Sequence, residues 1–247
     1  MSSPARTILR TESKLFLREP GALFWIVAFP TLLVVILGSI PSFRDPSSDL
    51  DGARVIDLYV PISILLSAIM ASIQSMPGVM AGYREQRVLR RVATTPARPL
   101  DLLAAQYVIH GAAVVLSGVL VLLVGRIAFD VKSPGSAGAY ALVLALALAA
   151  CLAIGGVIGG VSPTARISTA IGTLVFFPMM FTAGLWAPVQ TMPHGLRTVV
   201  ELTPGGAAAR GLDQAASGHW PSAHFLIVLV LWTLVAAGAA ARYFRWE

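Results

Sequence analysis

The chain has 247 residues, 56% of them hydrophobic and only 12% charged, and its mean hydropathy is +0.78. A soluble domain carries about 25% charged residues, so this composition excludes a soluble globular enzyme and calls for a bilayer as solvent. The net charge of +6 does not point to nucleic acid, because the arginines fall in connections and at the ends of apolar runs, not on one soluble face.

Residues 5–19 read as a helix lying in the membrane interface. Ile8, Leu9, Leu15 and Phe16 share one arc, opposed by Arg10, Lys14 and Arg18, while Glu12 and Glu19 intrude on the apolar side. A plain solvated helix is the blander alternative. Pro20-Gly21 ends it, and a first span follows at about 22–40. That run is longer than the 7–15 residues of a cleavable signal core, so it is expected to be retained. Residues 41–52 are rich in turn formers.

A second span, about 58–81, leads into the most polar stretch of the chain. At 100° per residue Arg84, Arg87, Arg90 and Arg91 fall within an arc of about 120°, beside Glu85, Val88, Leu89 and Val92. Thr94-Thr95-Pro96 then stops the turn, since proline lacks an N–H and keeps its predecessor out of the α region. The spacing predicts a short amphipathic helix over 83–95, a grip for a separate motor protein.

Further spans are expected at about 102–125, 138–161, 167–187 and 222–241, each near the 20 residues that cross a ~30 Å hydrocarbon layer. In the fourth, Gly155-Gly156-Val157-Ile158-Gly159-Gly160 overlaps two small-xxx-small patterns, which let helix backbones approach closely. In the fifth, central Pro178 predicts a kink or local unwinding. Residues 188–217 are too apolar for a solvated loop, yet too interrupted by Pro188, Pro193, Pro204, Gly205 and Gly206 to be a span. Two short helices dipping back into the membrane, about 193–202 and 205–217, reconcile these facts. The fold class expected is therefore an all-α membrane protein of six spans in one domain. With both termini inside, twelve basic residues lie on the cytosolic side and six outside, which favours that orientation.

Catalytic chemistry is sparse. Lys132-Ser133 lacks the glycines of a phosphate-binding loop, so ATP and Mg must be held by another subunit and no cofactor is expected in this chain. His110, His194, His219 and His224 form no HExxH pattern, and sole Cys151 allows neither an internal disulfide nor a cysteine metal cluster. Asp57 and Asp101 sit at span ends, leaving His110 as the one deep ionisable group, with hydrogen-bonded packing as its bland reading. Glu201, in the apolar outer stretch, either faces water or serves a gate.

Two segments carry a resemblance. Glu85-x-x-x-Leu89-x-Arg91-x-x-x-Thr95-Pro96 is similar to the coupling-helix signature of permease subunits of type-2 ABC exporters, with the daunorubicin-resistance permeases as the nearest branch. Ala183-Gly184-x-x-x-Pro188, Met192-Pro193-x-x-Leu196 and Thr203-Pro204 resemble the outer re-entrant signature of the same family. One position departs: the family commonly has glycine two residues after the acidic residue of the coupling motif, and here Arg87 stands there.

The resemblance implies a half-transporter in a bacterial plasma membrane, with both termini cytoplasmic. It would pair with a second permease, identical or homologous, and two copies of a P-loop ATPase subunit. Coupling would fall to Arg84, Glu85, Arg87, Leu89, Arg90, Arg91, Thr95 and Pro96. Ser67, Met70, Gln74, Phe176, Phe177 and Phe181 would line a path for a hydrophobic small molecule such as a drug, antibiotic or lipid. Gly184, Pro188, Pro193, Glu201 and Pro204 would form an outer gate. Rival readings are an ion-coupled carrier, an intramembrane lipid-modifying enzyme acting through His110 or Glu201, and a scaffold whose basic loop binds anionic membrane lipids.

Overall fold

The computed structural model describes residues 4–47, 52–88 and 99–243. Those residues form helices joined by short connections, with no strand among them; one isolated bridge pairs Pro46 with Arg54. An N-terminal helix, Pro4–Phe16, precedes six helices long and apolar enough to cross a membrane. These are span one (Pro20–Gly38), span two (Val55–Glu85), span three (Asp101–Phe129), span four (Ala137–Val161), span five (Ala165–Thr182) and span six (Ala223–Tyr243).

The largest boundary differences fall at spans two and five. Span two starts at Val55 because Arg54 clamps Asp57 in the first turn, through Nε at 2.8 Å and Nη2 at 2.7 Å. Arg54 also donates to the carbonyls of Phe129 and Asp130, tying this end to the end of span three. The same span runs through to Glu85, so the start of the helix read over 83–95 is its last turn. The helix breaks at Gln86, and Arg87 takes a φ of +56°. Leu89, Arg90, Arg91, Thr95 and Pro96 lie outside the described residues. Span five closes at Thr182, short of 187, where Gly184 takes a φ of +88° that only glycine adopts without strain.

Pro178 does not unwind span five, which stays α-helical through it. The irregular turns are in spans one and two instead, where wide π-helical turns occupy Phe24–Ala28 and Met70–Ser75. Each lies just ahead of a proline, Pro30 or Pro77. Proline has no N–H to offer the carbonyl four residues back, so Ile26 O loses its α-helical donor. The Ser67 hydroxyl of span two supplies one in its place, at 2.6 Å.

Span two is the axis of the bundle. Of its most apolar stretch 83% is buried, against 22% in each of spans one, five and six. Glycines allow this burial: a Cβ on Gly155 of span four would stand 1.9 Å from Ser72 O, and one on Gly172 of span five 2.6 Å from Ile73 O. Both carbonyls belong to the π turn of span two.

At the far end of the bundle from Arg84 lie two short helices, His194–Glu201 and Pro204–Ala216, within about two residues of expectation. Thr203 caps the second, its hydroxyl accepting from Gly206 N. Ala207, Ala208, Leu212 and Ala215 bury that helix against spans two, four, five and six.

Candidate functional site

At the basic end, the first two residues of the polar stretch turn into the bundle. Arg84 Nη1 donates to Gly159 O at 3.1 Å and Ser162 O at 2.7 Å, carbonyls at the end of span four. Glu85 Oε2 accepts from Ala165 N at 3.1 Å, at the start of span five. A cation on a helix C-terminus and an anion on a helix N-terminus both complement the macrodipole. Two consecutive residues of span two thus hold both sides of the span four to span five connection. Arg87, beyond the break, is exposed. Of the four arginines read onto one arc, Arg84 is thereby engaged inward, and Arg90 and Arg91 are not among the described residues.

The six residues expected along a path do not share one cavity. Ser67 is fully buried, occupied by the Ile26 carbonyl. Met70 and Gln74 line a cavity of about 530 Å3 with Glu19, Trp25, Gly78 and Thr169. Phe176 is half-buried, whereas Phe177 and Phe181 lie exposed on the outer face of span five. The Phe177 ring stacks on Trp186, centroids 6.2 Å apart and planes 11° from parallel.

A neighbouring cavity of about 510 Å3 is lined by Glu12, Phe16, Tyr83, Gln106 and His110. Glu12 Oε2 accepts from the Tyr83 hydroxyl and, at 2.7 Å, from Gln106 Nε2. His110 Nδ1 stands 2.9 Å from the Gln106 carbonyl oxygen and Nε2 3.2 Å from Ser75 Oγ. This network fastens the N-terminal helix onto spans two and three, and Phe16 adds an edge contact to the His110 ring at 5.3 Å.

At the opposite end, Gly184 and Pro188 shape the turn after span five, and Tyr59 of span two donates to Leu185 O at 3.1 Å. Pro193 precedes one short helix and buried Pro204 opens the other. Glu201 is paired and partly exposed: Arg210 Nε lies 3.1 Å from it, and Nη1 of the same arginine 3.1 Å from Asp213. This pair holds the two short helices together. Among the described residues no group of three or more His, Cys, Asp or Glu could hold a metal ion.

The profile of the ABC-2 type transporter family matches residues 5–215, most of the chain and every site described above. The chain belongs to that family. An ABC-2 chain is the membrane-embedded permease subunit of an ABC transporter and works with a partner ATPase subunit, so this is a multi-pass membrane protein. No curated protein matches it.

In this ABC-2 permease, sequence reasoning missed Glu12, Tyr83 and Gln106. The signal was present for Glu12, a carboxylate on the apolar arc of its helix, and it was read as a flaw in amphipathicity. For Gln106 and His110 the signal is their spacing of four, which places both on one face of span three. The position where the coupling-helix resemblance leads one to expect glycine is the one where the backbone turns left-handed. Arg87 adopts the conformation glycine would provide.

Proposed function

We propose that this ABC-2 permease is the membrane half of an ATP-driven exporter in a bacterial plasma membrane. The basic end faces the cytosol with both termini. Two ATPase subunits, which bind ATP and Mg, engage the 84–96 segment of each of two paired permeases. Their closure rocks the spans and moves an amphipathic or lipid-like molecule outward by alternating access, in the manner of efflux or antibiotic resistance. The short helices at the far end dip into the outer leaflet and cap the path.

One observation carries this reading: Arg84 and Glu85 join the coupling segment to the ends of spans four and five. A push on residues beyond Arg87 is delivered at once to three spans, which a loosely tethered loop could not do. Such a device requires that substrate bind the two states unequally.

Co-expression with its ATPase, purification and measurement of substrate-stimulated ATP hydrolysis test it. Arg87→Glu together with Arg91→Glu should leave membrane insertion intact and abolish coupling or assembly. Wild-type coupling in that double variant would remove the mechanism.

The buried Glu12 favours one rival, a proton-coupled carrier, because an acid withdrawn from water in a membrane protein is commonly a relay. Transport that persists without any ATPase and follows an imposed proton gradient would select that rival.

A further inference from the structure

Glu12 is only 8% exposed, and both hydrogen-bond donors to its carboxylate, the Tyr83 hydroxyl and the Gln106 amide, are neutral. Among the described residues, no Lys, Arg or His nitrogen comes within 4.0 Å of it. The Nδ1 of neighbouring His110 faces the Gln106 carbonyl oxygen, which can only accept, so that nitrogen carries a proton, and Nε2 faces the Ser75 hydroxyl. Withdrawing a carboxylate from water without a cation is unfavourable, and the cost falls when a cation is supplied.

Glu12 lines a cavity that can supply one. The cavity has the size of a small-molecule site, and Glu19, Gly78 and Val79 line both it and its neighbour. Beyond those shared residues the second cavity is walled by Trp25, Ile26 and Met70 together with Gln74, Ser75 and Thr169. The pair therefore offers an acidic, hydrogen-bonding chamber beside one whose wall mixes apolar and neutral polar groups. Arg18 also lines the first chamber, against the two carboxylates of Glu12 and Glu19.

We propose that the two chambers bind a cationic amphiphile, its ammonium head against Glu12 beside Tyr83 and Gln106 and its apolar tail over Phe16, Trp25 and Met70. This deepens the exporter reading and rests on it for the direction of transport. The bound head neutralises Glu12, and the tail occupies the space beside the π turn of span two. Tyr83 and Gln106 keep the carboxylate oriented toward the chamber. Tyr83 of that site immediately precedes Arg84 and Glu85, the residues that hold spans four and five.

Equilibrium dialysis of the purified full chain in uncharged maltoside micelles, corrected against protein-free micelles, tests the site with radiolabelled decylammonium, decanol and decanoate. Wild-type protein should bind decylammonium at least about tenfold more tightly than decanoate. Glu12→Gln should weaken decylammonium binding by about tenfold and leave decanol unchanged. Equal binding of the two charged probes to the wild type, a comparison that needs no variant to fold, would overturn the proposal. So would an unchanged decylammonium affinity in Glu12→Gln.

Coupling is read separately, on the complex with its ATPase. Glu12-dependent binding that leaves ATP hydrolysis unaffected would sustain the site and sink the exporter reading. Coupled hydrolysis without Glu12-dependent binding would sink the site alone.

Discussion

Spans two and five lie side by side, yet they are built for different surroundings. Span two is enclosed, and two of its hydroxyls are committed within the chain: Ser63 donates to Tyr59 O and Ser67 to Ile26 O. Span five turns Leu174, Phe177 and Phe181 outward, with Trp186 beside them, and buries only Ser168, Gly172, Met179 and Met180. Both were expected to line one path. The difference teaches that helix hydrophobicity alone does not say which surface meets protein and which meets lipid or a second subunit. Small residues on the neighbours do: Gly155 and Gly159 of span four and Gly172 of span five point at span two, and span five's outer face has no glycine.

The contrast is broken most severely at Gly155. Gly155→Ala places a methyl against Ser72 O, so the bundle must separate at the π turn. We expect a loss of more than about 2 kcal/mol, read as a fall in thermal unfolding temperature in detergent. A next-largest effect is expected from Ser67→Ala, which leaves Ile26 O without its donor and costs about 1–3 kcal/mol. Adding Pro30→Ala to that variant restores a backbone N–H opposite the same carbonyl. The double variant should then be more stable than the sum of its parts, a non-additivity visible in the same melting measurement.

A gain is expected at Arg87. Arg87→Gly removes the left-handed penalty of a side-chain-bearing residue and should stabilise the chain by about 1 kcal/mol. Smallest of all on stability is the outer face of span five: Phe177→Ala with Trp186→Ala should shift unfolding by less than about 0.5 kcal/mol. If that face meets a second permease, the same pair of changes lowers the dimer fraction in single-molecule bleaching counts. A stability loss as large as that of Gly155→Ala would erase the distinction between the two spans.

The architecture was readable because a bilayer imposes its thickness on every span. Six apolar runs, the glycine pairs of span four and the two short helices after Pro188 all follow from length and residue type. The irregular turns were not readable from Pro178, because a proline disturbs a helix only as far as its neighbours allow. Pro30 and Pro77 sit beside wide turns, while span five absorbs Pro178 without one. The site was less legible still. Glu12, Tyr83 and Gln106 come from three elements separated by up to 94 positions, and only packing brings them together. Arg84 likewise looks like its fellow arginines in one dimension, and the helix-end carbonyls that engage it come within reach only through packing.

The wide turn at Met70–Ser75 leaves intact the rotational phase of everything after it. An α-helix advances about 100° per residue and the wide turn absorbs one extra residue locally, so deleting a residue from the regular turns at 76–82 would swing the end of the helix by about that angle. Tyr83, Arg84 and Glu85 would then point away from Glu12, Ser162 and Ala165 in a single stroke, with no change in their own identity. That regular stretch behaves as the timing mark between the N-terminal helix and the far ends of spans four and five. A single-residue deletion at 76–82 is thus a sharper probe of their alignment than any side-chain replacement.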